Sequence, residues 1–365
     1  MGETVDLQGQ VAMVTGGGGK LNNMSHNEKA KNNDRLWEVV VTDCDHGSIE
    51  IEKEVLDRIG AKLTLAQVRS EADVIRVCGQ ADGLLNQYAP LTRAVLERLP
   101  KCKVIAKYGV GVDSIDLKAA TDFGIIVVNV PDYCVDEVAD HTISLMLTLA
   151  RKIVFFNQKV KSNQWDFRQG SPIHRIRNMT LGLIGCGRIG REVARKMSVF
   201  GVRAIAYDPY ITDTGDAIAL VDLDTVLRES DFISIHCSLN ESTRHLLGGR
   251  EFKKMQKKPF VINVARGPII EEKELIQALN EGQISGAGLD VLEKEPPDSH
   301  NPLLKMENVI LSPHVAFYSE ESICELKRRA AEGVSAVLLG KWPKVVVNKE
   351  VIGRMRASIS GTYPG

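Results

Sequence analysis

From Trp37 onward, short apolar runs alternate with stretches in which apolar residues recur every three or four positions. The short runs, bounded by turn residues, predict buried strands, and the longer periodic stretches predict amphipathic helices. Strands are expected at 39–41, 83–85, 104–106 and 125–129, with helices over 49–59 and 135–156. A second series of strands is expected at 180–184, 202–207, 232–235, 260–264, 287–289 and 309–311. Helical spacing returns over 320–339, and Trp342-Pro343 ends it. Such alternation argues for an α/β fold with parallel sheets. Residues 350–365, with Gly353, Gly361 and Pro364, are expected to form a loose tail.

The first thirty-odd residues do not match this pattern. Residues 7–18 end in Gly16-Gly17-Gly18 and resemble the opening strand and phosphate turn of a short-chain dehydrogenase, but no helix follows. Gly19-Lys20-Leu21 fails as a P-loop because neither Ser nor Thr follows the lysine. The polar run 22–33 completes what is expected to be a disordered or fusion-like extension over 1–34, with no site of its own.

Bulk properties narrow the function classes. With 44% hydrophobic and 25% charged residues, the 365-residue chain has the composition of an ordinary soluble globular protein of two domains. A net charge of −1 supplies no global attraction to nucleic acid or an anionic membrane. No apolar run approaches the roughly 18 residues that span a bilayer, and residues 1–30 lack a secretory signal pattern. The seven cysteines are odd in number and scattered, without Cys-x-x-Cys or zinc spacing. A cytoplasmic, reduced protein without a metal site is expected.

The most informative motif lies at 180–190. An apolar run ends in Gly185-x-Gly187-x-x-Gly190, then Ile189, Val193 and Met197 mark one face of a helix. A second apolar run stops at Asp208. In a βαβ dinucleotide fold the three glycines permit the tight turn, backbone approach to pyrophosphate and close helix–strand packing. An acidic residue about 20 positions on hydrogen-bonds the ribose hydroxyls of NAD and repels a 2′-phosphate. Further strands end in His236-Cys237, Arg266-Gly267, Asp290 and Ser312-Pro313-His314. Ligands of open α/β sheets bind outside the carboxyl ends of the strands, so Asp208, His236, Arg266, Asp290 and His314 are expected to share one crevice.

Asn263-Val264-Ala265-Arg266-Gly267, the run from Gly288-Leu289-Asp290 to Glu295-Pro296, and Ser312-Pro313-His314 resemble the three signatures of the D-isomer-specific 2-hydroxyacid dehydrogenases. The similarity covers about residues 37–348. It implies two Rossmann-like domains with parallel sheets, an NAD domain over 132–317 inserted into a discontinuous substrate domain of 35–131 and 318–348, and a tail over 349–365. It implies Arg266 on the substrate carboxylate and C2 oxygen, His314 as acid/base and Glu295 as its carboxylate partner. It places Gly185, Gly187, Arg188, Ile189, Gly190, Asp208, His236, Cys237, Ala265 and Asp290 along the NAD. Val110 and Gly111, in Lys107-Tyr108-Gly109-Val110-Gly111-Val112-Asp113, resemble the loop whose amides bind the substrate carboxylate. A homodimer is implied too, with the long helix after Cys134 in its interface.

Physical chemistry gives these roles content. Reducing a 2-oxo acid requires a hydride at C2 and a proton on its oxygen. A histidine suits the proton, a neighbouring carboxylate favours its charged form, and an arginine fork matches a carboxylate bidentately. His141, on the long helix, is expected to be a packing or interface histidine. The run 131–141 and His236-Cys237-Ser238 resemble the C-terminal-binding-protein branch, in which an aromatic wall residue falls at Phe317 where the corepressors carry Trp. Two functions therefore stay open: an NAD-dependent enzyme for a small 2-oxo or 2-hydroxy acid, and an NAD-sensing corepressor-like binding protein. Formate or phosphite oxidation is a third reading.

Overall fold

A computed structural model describes residues 36–365 other than Asp216, so the extension expected over 1–34 lies outside the described residues. Strands β1 (Glu38–Val41), β2 (Lys62–Leu65), β3 (Gly83–Asn86), β4 (Val104–Lys107) and β5 (Ile126–Val128) form one sheet in the order β2-β1-β3-β4-β5. Strands β6 (Thr180–Ile184), β7 (Arg203–Tyr207), β8 (Ile218–Leu220), β9 (Phe232–Ile235), β10 (Phe260–Asn263), β11 (Gly286–Leu289) and β12 (Val309–Leu311) form a second, in the order β12-β11-β10-β9-β6-β7-β8. Every pairing is parallel. Strands β3, β4, β6, β9 and β11 are buried along their whole length, as parallel sheets covered by helices on both faces require. The expected pair of Rossmann-like parallel sheets is thus observed. Strand order reverses between β1 and β3 and between β6 and β9, the positions where such sheets open a crevice.

The chain returns to its first sheet at the end. Helix Glu320–Leu338 starts at Ser319, whose Oγ accepts the Ser322 amide at 2.9 Å. Its Leu326, Ala330, Val334 and Val337 share one core with Val39, Val41, Val104 and Ile126. Contrary to the loose tail expected, residues 349–365 pack onto this same unit. Val351 is fully buried, Arg356 N donates to Gly124 O at 2.8 Å, and Tyr363 lies against Trp342 with ring centroids 5.2 Å apart. Met355, Ile359 and Tyr363 complete the packing, so the Gly-rich spacing marks turns within an ordered segment.

The single helix expected over 135–156 is two helices, Val135–Ala150 and Ile153–Lys161. Lys152 takes the left-handed conformation (φ 53°), which ends the first helix without a glycine or proline. Helix Val135–Ala150 directs its buried Ile143, Leu145, Met146 and Leu149 inward, against helix Arg188–Ser198, β10 and β11, while Val138 joins the core of the first sheet. Its apolar face is therefore packed within the chain, while Asp136, Asp140 and Ser144 on its other side stay exposed. The exposed apolar side chains follow it: Ile153, Val154, Val160, Trp165 (88% exposed) and Phe167 (83%).

Candidate active site

The glycine loop follows β6 directly. Gly185 has φ +95°, and a Cβ there would lie 2.6 Å from Cys237 N, so the loop passes flush against the end of β9. Gly190 packs as closely, its added Cβ falling 2.6 Å from Gly185 O. Gly187 differs, because a Cβ would meet no atom within 4 Å. Open space therefore faces the backbone at the start of the eleven-residue helix Arg188–Ser198, where free amides and the helix dipole favour a phosphate. Arg188 is exposed and its side chain makes no hydrogen bond or ion pair among the described residues, whereas Ile189 is half-buried and lines the cleft. Asp208 stands just beyond β7 and ties the turn together, Oδ2 accepting Cys186 N and Oδ1 accepting Tyr210 N, both at 2.9 Å. These residues fit a dinucleotide.

A cleft opens beside this loop and gathers Val110, Gly111, His236, Cys237, Ala265, Arg266, Asp290, His314 and Phe317. Of the strand-end residues expected to converge, only Asp208 is absent from its lining, lying behind the glycine turn. His314 adopts φ +53°, a conformation uncommon for a side-chain-bearing residue, and its amide donates to Asp290 O at 2.8 Å. Its Nδ1 lies 2.7 Å from Glu295 Oε2, while Glu295 Oε1 accepts Leu292 N at 3.0 Å. The carboxylate is thereby fixed at both oxygens.

Arg266 follows β10 in a turn held by Asn263, whose side chain donates to Arg266 O (2.9 Å) and accepts Ala265 N (3.0 Å). The guanidinium donates from Nε to Asp113 Oδ2 at 3.0 Å and from Nη1 to Ala265 O at 2.7 Å. It lies over Gly111 so closely that any Cβ there would strike Nη2. The Val110-Gly111 loop, the arginine and its Asp113 partner thus form one wall of the cleft.

Asp290, which the resemblance implied lies along the NAD, lines the cleft and also braces its wall. Its carboxylate accepts Ser312 Oγ (2.6 Å), Val315 N and Ala316 N (both 2.9 Å), and the side chain is almost wholly buried. It clamps the turn that carries His314 and Phe317. His141 Nε2 lies 2.8 Å from Ser312 Oγ, so it packs behind the same clamp. Burial presses the His236 imidazole down to about 3, which keeps it neutral, and raises the Cys237 thiol to about 11. His236 Nε2 is 2.8 Å from Ser234 Oγ, leaving its ring a wall of the cleft.

The cleft also contains Lys107 and Tyr108, which open the expected substrate loop, and His46, Gln87, Tyr88 and Tyr133, for which no site role was expected. His46, Gln87 and Lys107 sit at or beyond the carboxyl ends of β1, β3 and β4. The strand-end rule that located Arg266 and His314 finds them when applied to the first sheet. Burial lowers the Lys107 ammonium to about 8, while its Nζ donates to Gln87 O and, at 3.0 Å, to Ser114 Oγ.

The pattern of the D-isomer specific 2-hydroxyacid dehydrogenase NAD binding domain matches residues 143–316. The chain is 38% identical over 331 residues to the D-3-phosphoglycerate dehydrogenase of Methanocaldococcus jannaschii, an alignment covering 88% of this chain and 62% of that relative. It is 37% identical over 284 residues to the glyoxylate reductase of Korarchaeum cryptofilum, covering 76% of this chain and 85% of the relative. The structure of D-lactate dehydrogenase from Aquifex aeolicus complexed with NAD and lactic acid superposes with a TM-score of 0.76 at 27% identity, covering 89% of this chain and 100% of that one. The chain belongs to the D-isomer specific 2-hydroxyacid dehydrogenases, a family of NAD-dependent oxidoreductases. Its cofactor is NAD. Among the described residues no helix is long and apolar enough to cross a membrane.

Proposed function

We propose that the protein interconverts a small 2-oxo acid and its D-2-hydroxy acid, the glyoxylate, hydroxypyruvate and phosphoglycerate types being the candidate substrates. The observation that carries this reading is the 2.7 Å contact between His314 and Glu295, in a cleft that also holds Arg266. A carboxylate accepts only, so Nδ1 of His314 carries a hydrogen and Nε2 is left to give or take the proton of the C2 oxygen. Arg266 and the Val110-Gly111 amides hold the substrate carboxylate, and the braced turn at Asp290 keeps Nε2 at a constant height above it. Bound NAD supplies or accepts the hydride at C2. Phe317 closes the apolar side of the pocket and excludes water.

In this reading the second sheet is the NAD-binding part, and the first sheet with the returning helix and residues up to 348 is the substrate part. We place the protein in the cytoplasm, which suits seven cysteines that are all free thiols. We also infer a homodimer, supported by the exposed Trp165 and Phe167, which are large apolar groups of the kind interfaces cover. Sedimentation at micromolar concentration reads that state, and a monomer would refute it. The activity is tested by a screen of 2-oxo acids with NADH, comparing kcat/KM. Binding of NADH without turnover of any acid would reject the enzyme and favour the corepressor-like alternative.

A further inference from the structure

The cleft holds a second histidine that none of these roles uses. His46 lies in the turn after β1, half-buried, with its ring in the cleft wall. It meets Tyr108 edge-on at 6.3 Å and Phe317 at 5.8 Å between centroids. Phe317 meets His314 at 6.3 Å in the same manner. One phenyl ring therefore touches both histidines.

The turn bearing His46 is braced from below. Lys327, whose side chain is 3% exposed, donates through Nζ to the carbonyls of Ser48 and His46, the latter at 3.4 Å. Glu52, wholly buried, sits 3.6 Å from that ammonium and accepts the Tyr108 hydroxyl at 2.7 Å. A buried ion pair of this kind is weak evidence for stability. Here it fixes two walls of one pocket, His46 and Tyr108, at once. The imidazole nitrogens of His46, by contrast, have no hydrogen-bond partner among the described residues. With the ring fixed in the cleft wall, these nitrogens are free to bond a ligand that enters the cleft. Burial, then the charge of Lys327, lowers the His46 pKa, so near neutral pH the ring is uncharged and offers one donor and one acceptor.

We infer that His46 sets substrate choice by hydrogen-bonding a hydroxyl on C3 of the 2-oxo acid, so that 3-hydroxy-2-oxo acids are preferred. The inference rests on the dehydrogenase reading. With Arg266 on C1 and His314 on the C2 oxygen, a residue one ring away from His314 faces the next carbon. An uncharged imidazole suits a hydroxyl better than a second anionic group.

The test compares kcat/KM for hydroxypyruvate and pyruvate, with NADH, in the wild type, His46→Phe and His46→Gln. Phenylalanine keeps the ring contacts and removes the nitrogens; glutamine keeps a donor and an acceptor. The wild type should prefer hydroxypyruvate, and His46→Phe should lose about tenfold of that preference, close to the worth of one neutral hydrogen bond. His46→Gln should retain most of it, and NADH titration should show both variants binding cofactor normally. A wild type without the preference, an unchanged preference in His46→Phe, or equal losses on both acids would overturn the inference and leave the dehydrogenase reading standing. A wild type that reduces no 2-oxo acid would overturn both.

Discussion

Gly187 and Gly190 stand in the same loop, yet replacing each by alanine is expected to damage a different property. At Gly190 the new Cβ would lie 2.6 Å from a backbone oxygen, which cannot swing aside; at Gly187 it would meet nothing within 4 Å. Overpacking against a fixed atom costs about 1–3 kcal/mol. In a chain this long each kcal/mol moves Tm by about 2 °C, so Gly190→Ala should melt about 2–6 °C lower. Gly187 already has angles that alanine accepts (φ −73°, ψ −161°), and as an N-cap its loss costs under about 1 kcal/mol. Its melting point should stay within about 2 °C of wild type. The methyl would instead fill the space into which the pyrophosphate must come, so NADH affinity should fall about tenfold or more, ~1.4 kcal/mol. Thermal unfolding without nucleotide and a fluorescence titration with NADH separate the two effects. The reasoning fails if Gly187→Ala binds NADH like wild type, or if Gly190→Ala is the more stable of the two.

Three further outcomes are expected. Replacing His314 with Ala should lower kcat for 2-oxo acid reduction by roughly 10²–10⁴ while NADH affinity stays near normal, and full turnover in the variant would remove His314 from the mechanism. Asp208→Ala should narrow the preference for NAD over NADP; tighter NADP than NAD binding by the unmodified protein would contradict the role given to this carboxylate. Lys107, lowered by burial from 10.5 to about 8, loses its proton earlier in the folded than in the unfolded chain. Its contribution to stability therefore rises with pH between those values, and Lys107→Met should flatten that part of the stability–pH profile; an unchanged slope would show the ammonium titrating normally.

The sequence disclosed the site unevenly, for reasons tied to particular residues. Gly185, Gly187, Arg266 and His314 were legible because each sits at a strand end, in a pattern that backbone geometry itself demands. Asp290 was legible as an acid at the right place, but its partners were not. A carboxylate that clamps Val315 and Ala316 has the same sequence signature as one that awaits a ligand. The break at Lys152 carries no sequence mark, because the residue is neither glycine nor proline and its left-handed turn follows from packing. Strand β8 lies at a sheet edge and exposes its central Ala219, so no strong apolar run marks it, unlike Val309-Ile310-Leu311 at the other edge. The last segment was misjudged because glycines announce turns without saying whether apolar residues between them, such as Val351 and Ala357, find a core.

That returning segment has a consequence for how the molecule is made. Strands β1 to β5 emerge from the ribosome early, yet the apolar cover for β3, β4 and β5 is supplied by helix Glu320–Leu338. Asn348 then seals the β5 side, accepting the Val127 amide at 2.8 Å and donating to Ile125 O at 2.9 Å. Throughout translation of the middle of the chain, the early strands carry an uncovered apolar face of the kind that recruits chaperones or aggregates. The second sheet, by contrast, has all its strands made over residues 180–311, before the returning helix begins. Vectorial synthesis thus finishes the cofactor lobe ahead of the lobe that began earlier, and a nascent chain stalled before residue 320 should bind NAD while its leading strands remain protease-sensitive.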